Sequence, residues 1–430
     1  MKRRHLIPAA LLTVGALALS ACAPSGGSNG DAPQDPTGEE VTLKVWSWRT
    51  EDIAAYNRIF DKFTEANPGI KVQFEAFQNT EYNQLLATGL AASDGPDIAQ
   101  VRSYGQLQAN VAAGQLEQID DIVSGLDKFP AHVIDSSKGT DGNIYSVPLA
   151  TQTYQVYYNK EIFADQGLSV PTTWDEFIDV QEKLQDAGIT PLAMGAKEDW
   201  VLPLFHDTFG SSRYGGSEFR EKVLSGATDF TDPDYVASIQ VLDDLTEYMP
   251  DQITGVGVVE AQMLFTSGQA AQYPGGSFDL AALRDLAPDL DLGTYAVPAP
   301  PGSVLSSPSV PSWADGNFAI SANSGKKEAA AVLLNWIATE EFGQLVADEL
   351  NMFSAVPGVN YSDPVMSEMW ANYEAGAQPY ILLIDFRFGD PFGTAVLGTE
   401  VQKMFLGDQD AAGVASALQD GVSVWFTPGQ

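Results

Sequence analysis

The sequence predicts an α/β fold, and three observations lead there. Its opening stretch passes from alternating to helical apolar spacing and back, in the order strand, helix, strand, helix, strand. Helix-start signals recur downstream, at Thr173 and Asp232. With 430 residues and 44% hydrophobic positions, the chain can bury two cores, so two domains are expected.

The elements follow in order. In VTLKVWSW, Val41, Leu43 and Val45 share one face of a strand. Ile53, Tyr56, Ile59, Phe60 and Phe63 then recur at helical spacing until Asn67-Pro68-Gly69 breaks the run. A second strand places Ile70, Val72 and Phe74 inward, with Lys71, Gln73 and Glu75 outward. A second helix carries Tyr82, Leu85, Leu86 and Gly89 on one stripe and stops at SDGPDIAQV, the third strand. Such a βαβαβ order implies a parallel sheet with helices on its faces.

Further on, Asp141-Gly142 reads as a turn feeding a long extended run to Asn159. Thr173 with Glu176 three residues later forms a capping box after Pro171. Asp232 caps a helix with Pro233 at its first position. The Pro-rich stretch from Tyr295 to Trp313 reads as a connection, GNFAIS as a short strand, and KKEAAAVLLNWIATEEFGQLV as one strong helix with Val332, Leu333, Trp336 and Ile337 on a stripe.

The N-terminus has a different character. Lys2, Arg3 and Arg4 lead into an apolar segment too short for a committed transmembrane helix, which fits a secretory signal over residues 1–21. Leu19-Ser20-Ala21-Cys22 resembles the bacterial lipobox, which implies cleavage before Cys22 and a lipid on its thiol. Cys22 is the only cysteine, so no disulfide or Cys-rich metal site can form within the chain. Residues 22–40 hold no large apolar side chain and read as a flexible tether.

Charge excludes some partners. The formal net charge is −35, and losing Lys2, Arg3 and Arg4 with the signal would take it to −38. Such a surface repels nucleic acid and anionic headgroups. Beyond the signal only His132 and His206 remain, too few and too isolated for a histidine metal centre or a catalytic triad. SANSGKK lacks P-loop spacing, and there is no Gly-x-Ser-x-Gly elbow. No cofactor is expected.

The series LKVWSW, FTEANPGIKVQF, LLATGLAASDGPDIAQV, GNIYSVPLATQTYQVYYNKEIFADQGLSVPTTWDEF, LFTSGQAAQYPGGSFDL and GNFAISANSGKKEAAAVLLNWIATEEF resembles the oligosaccharide-binding lipoproteins of bacterial ABC importers, the family typified by the maltose-binding protein. The resemblance covers most of Val41 to Phe405 in the family's order. It implies a two-lobed periplasmic-binding-protein type II fold. Each lobe would be a mostly parallel sheet flanked by helices, joined by crossings near Val147–Asn159, Pro298–Trp313 and Phe353–Pro357. Lobe 1 would be residues 41–151 with 314–353, and lobe 2 residues 152–313 with 354–430.

It also implies a sugar in the cleft, an ABC permease as partner, a monomer, and membrane contact only through the N-terminal lipid. Aromatic rings stack on a pyranose's C–H face, while acids, amides and Arg bond its hydroxyls. The candidates are therefore aromatic and polar residues at strand ends and on loops. Trp46 and Trp48 flank the end of the first strand. Asp97 opens the third, and Arg102 and Tyr104 follow where the family's usual tryptophan is missing. Gln152 lies on the first crossing and Trp313 after the second. Trp200 matches an aromatic that stacks on sugar in the maltose-binding relative. Phe278 and Asp279 stand where relatives carry a Trp-containing loop. Phe388, Asp390 and Phe392 belong to the aromatic segment IDFRFGDPFG. Two alternatives stay open: a secreted glycoside hydrolase, since 57 acids could supply a carboxylate pair, and a receptor for a non-sugar solute such as a phosphodiester, polyamine or peptide.

Overall fold

The structure, a computed structural model, describes residues 40–387 and 389–429. The expected signal, Cys22, all of the tether but Glu40, and Phe388 lie outside the described residues.

Eleven strands form two sheets among the described residues. The first sheet has the order β2-β1-β3-β9, from β1 (Val41–Ser47), β2 (Ile70–Ala76), β3 (Ile98–Val101) and β9 (Asn317–Ile320). β1 pairs parallel with β2 and β3, as the alternating strand and helix order requires, and β9 closes the edge antiparallel to β3. Helix α1 (Ile53–Ala66) buries Tyr56, Ile59, Phe60 and Phe63 against this sheet, each burial contributing about 1.5–3 kcal/mol. Helix α2 (Asn79–Ala91) buries Tyr82, Leu86 and Leu90. Leu85, expected on that stripe, is exposed.

The second sheet runs β11-β8-β4-β6-β5, with β7 and β10 also paired to β4. Its strands are β4 (Ala150–Asn159), β5 (Thr190–Leu192), β6 (Ala270–Gly276), β7 (Leu292–Tyr295), β8 (Val310–Asp315), β10 (Phe353–Ser354) and β11 (Ala377–Pro379). This sheet is mixed rather than mostly parallel. β4 runs against β6, β7, β8 and β10, because it enters from the other lobe in the opposite sense to the strands that follow.

All ten residues of β4 are buried. Ala150 packs in the core of the first sheet with Leu43, Tyr56 and Phe318, whereas Tyr154 packs in that of the second with Phe205, Phe209 and Tyr235. Beside it, Gln152 pairs with Trp313 of β8, and Thr151 with Phe353 of β10. Three extended segments thus lie side by side where the lobes meet.

The capping box at Thr173 and the cap at Asp232 form as the sequence predicts. Two expectations need correction. Val310–Trp313, read as part of a connection, belongs to β8, since β4 and β11 supply its ladder partners. The strong helix is two, Lys327–Ile337 and Glu340–Leu350, because Thr339 turns out of the helix and its side chain accepts from Phe342 N–H. Among the described residues no helix is long and apolar enough to cross a membrane.

Candidate binding cleft

The three side-by-side segments gather some of the expected residues. Gln152 is 5% exposed, and its Oε1 accepts from Ser277 Oγ at 2.7 Å, tying β4 to the loop after β6. Phe278, next in that loop, sits 6.3 Å from Tyr154, ring to ring. Gly276 makes room for it, since a Cβ there would lie 2.2 Å from the Phe278 ring. Trp313, opposite Gln152, packs edge-on against Tyr380 at 5.5 Å.

From the first lobe, Tyr104 reaches the same place. Its Oη accepts from Ala314 N–H at 3.1 Å, and its ring packs against both cores. Its backbone has φ 54° and ψ −124°, a region costly for a non-glycine residue and held only when its surroundings impose it. Tyr104 opens helix α3 (Gly105–Ala112), so the strain falls at a turn that aims the side chain at the hinge.

Arg102, two residues earlier, lies over the Trp48 ring at 3.6 Å from its centroid, a cation–π contact. Its guanidinium also donates to Asn79 and comes within 3.9 Å of Asp315 at the end of β8. Burial lowers its pKa to about 10, with Asp315 opposing the shift and Arg387 of the other lobe adding to it. Trp48 is 6% exposed and packs on Tyr82, so one of its faces is already occupied.

Other expected residues sit elsewhere. Asp97 opens β3 at the end away from Arg102 and Tyr104, and its carboxylate accepts from Lys44 N, Ser324 Oγ and Lys326 Nζ. The expectation of a cleft position for Asp97 is therefore corrected, since β3 brings its other end to the junction. Trp46 shares a face with Trp48, as alternation predicts, but lies under α2. Its Nε1 donates to Glu75, its ring meets Phe77 at 4.8 Å, and it lines a surface groove of about 600 Å³ with Leu85 and Gly89. Asp279 is buried inside lobe 2, taking bonds from Gly276 N, Tyr273 Oη and Gln262 Nε2. Burial raises its pKa to about 6.

Trp200 stands in a short turn ahead of the helix Leu202–Tyr214 and is 38% exposed, a large apolar ring left open. Phe392 is similarly exposed and Asp390 is open to solvent, at the start of the helix Gly393–Phe405. That helix packs against Trp200's turn, where Gly398 meets the backbone of Asp199.

Sequence reasoning missed a set of charges at the junction. Arg49 is buried and paired with Asp52 at 2.6 Å. Arg220 holds Asp385 by two bonds of 2.6 Å, a bidentate pair. Arg387 and Asp315 complete the group. The signal was partly present: Asp385 and Arg387 lie in the IDFRFGDPFG segment, dense in aromatics and charge, of which only Phe388, Asp390 and Phe392 are expected at the site.

Two lobes meet at a junction of three adjacent strands, where aromatic and polar side chains converge, and ligand sites occur preferentially at such domain junctions. The sequence profile of the bacterial extracellular solute-binding protein family matches residues 46–344. The chain belongs to this family. Such proteins are binding proteins that act outside the cytoplasm, which places this solute-binding protein there too. It is 26% identical over 271 residues to the multiple sugar-binding protein of Streptococcus mutans, covering 60% of this chain and 63% of that one. Among solved structures, one from work on xylan utilization by Caldanaerobius polysaccharolyticus aligns with a TM-score of 0.78 and 25% identity over 88% of this chain and 99% of that one. A bacterial solute receptor with an exclusive preference for β-D-galactopyranose aligns equally well, with a TM-score of 0.78, at 21% identity over 90% of this chain and 100% of that one. The last likeness concerns the fold alone.

Proposed function

We propose that this solute-binding protein is a lipid-anchored, monomeric receptor. It binds an oligosaccharide between its lobes and delivers it, chemically unchanged, to the permease of an ABC importer. The observation that carries the reading is the convergence of Tyr104, Gln152, Phe278 and Trp313 on three adjacent crossing strands. Rings and hydrogen-bonding groups in a cleft suit a pyranose, which offers an apolar face and a hydroxyl rim. The sugar-binding relative in Streptococcus mutans supports the same reading. Trp200, Phe392 and Asp390 would extend the site along lobe 2, and Cys22 would carry the lipid.

The proposed division is residues 41–151 with 314–353 for lobe 1, and 152–313 with 354–430 for lobe 2. Packing supports it at two crossings, where core membership changes between Ala150 and Tyr154 and between Trp313 and Ala314. At the third, Phe353 packs with lobe 2 while Ala355 and Val356 return to the first core.

The test is a thermal-shift screen over di- to tetrasaccharides, followed by chromatography of each mixture. A receptor is stabilised by its ligand in a concentration-dependent way and releases no product. Stabilisation by no sugar would overturn the reading, and shortened products would turn it toward a hydrolase.

A further inference from the structure

At the junction one guanidinium nitrogen has no partner. Arg387 Nε is buried and has no hydrogen-bond partner, and among the described residues Arg387 forms no ion pair. Buried polar groups are nearly always paired, and a buried charge without a partner is costly. Neighbouring acids do not meet the need. Asp385, two residues away, is already held by Nε and one Nη of Arg220. Asp315 is close enough to act on Arg387 electrostatically, but it also faces Arg102 at 3.9 Å. Asp315 thus faces Arg102 of its own lobe at 3.9 Å and acts on Arg387 of the other lobe only through space.

Each of those arginines is also partly withdrawn from water. Burial lowers the pKa of both, a direction that reflects charge held without full compensation. The chain as a whole carries −35, so its far field repels anions, and any attraction for one must come from these local groups.

We propose that the ligand of this cleft carries an anionic group, a uronic-acid carboxylate or a sugar phosphate, which Arg387 and Arg102 clamp from opposite lobes. The proposal rests on the reading of the cleft as a sugar site. An Arg side chain presents Nε–H and one Nη–H as a planar fork that matches two oxygens of a carboxylate or phosphate. The anion supplies the negative charge that Asp315 alone does not. It also explains why a receptor with so acidic a surface keeps Arg387 Nε without a partner between its lobes. An anion bridging both arginines would favour lobe closure, because each lobe contributes one of them.

Titration calorimetry on the whole chain tests this with matched probes. One arm uses di- to tetragalacturonates and glucuronate-bearing xylo-oligosaccharides against their methyl esters, which lack the charge. A second arm uses hexose phosphates, and a third neutral xylo-, malto- and galacto-oligosaccharides. The expected result is at least tenfold tighter binding of one acidic probe than of its neutral counterpart. Arg387→Gln should bring the two to within about threefold of each other. Preference for a uronate or for a phosphate identifies the source of the charge. Neutral sugars or esters binding as tightly as every acidic probe would overturn the proposal while leaving the sugar-receptor reading intact. Binding of no probe in any arm would overturn both. The acid-to-ester comparison uses the unaltered chain, so it decides the matter even if the variant fails to fold.

Discussion

Tyr104 Oη accepts the Ala314 backbone N–H at 3.1 Å, so a residue from the first lobe holds the hinge strand next to Trp313. The strained backbone of Tyr104 is held in place partly by this bond and partly by its contacts with both cores. Tyr104→Phe keeps the ring but leaves Ala314 N–H without its acceptor, a loss that costs about 1–3 kcal/mol for a buried donor. The urea midpoint of the ligand-free variant should fall accordingly. An unchanged midpoint would mean that the bond does not hold the hinge.

Trp200 should be a stacking platform. Its ring is 38% exposed without ligand, so removing it leaves little core to disturb. Losing one aromatic contact and its area takes away about 1–3 kcal/mol, or roughly 5- to 150-fold in affinity. Trp200→Ala should weaken sugar binding by that much, with a small change in apo stability. A large loss of apo stability at unchanged affinity would assign the ring to packing.

Asp207 makes stability depend on pH. It is buried, accepts from Tyr214 Oη at 2.5 Å, and burial raises its pKa to about 7. In the unfolded chain an Asp loses its proton near pH 4. The folded state therefore binds the extra proton between those values, and stability from this group is complete below about pH 4 and lost as pH rises through 7. Buried His206 works the other way, since burial lowers its pKa to about 3, so that its contribution grows as pH rises toward 6.5. Asp207→Asn should gain stability relative to the parent between pH 4 and 7, by at most about 1.4 kcal/mol per pH unit. Urea titrations at pH 5 and 7.5 check this, and parallel curves for the two proteins would refute it.

Ligand should close the lobes. A sugar touching both lobes stabilises only the closed form, and the adjacent crossings let each lobe turn as a unit. Saturating ligand should shrink the radius of gyration measured by small-angle scattering. It should also change tryptophan fluorescence, with Trp313 and Trp48 as reporters at the junction. Unaltered scattering at proven saturation would sink closure without touching binding.

Cys22 should carry the anchor. Cys22→Ser should release folded, ligand-competent protein from cells. Retention of that variant in the membrane fraction would refute attachment at this residue.

Local features of the fold were legible in the sequence because they depend on neighbours. Alternation in Val41–Val45 and helical spacing in Ile53–Phe63 place β1 and α1, and Thr173 with Glu176 starts a helix wherever the chain goes. The same alternation put Trp46 and Trp48 on one face. What periodicity leaves open is which end of a strand meets the other lobe. Asp97 and Arg102 lie five residues apart on either side of β3, yet one is consumed by Lys44, Ser324 and Lys326 while the other reaches the hinge. Pairings such as Arg220 with Asp385, and Arg102 with Asp315, join residues far apart in the chain. Such partners are chosen by the path of the backbone through three crossings, and only the tertiary structure decides that path.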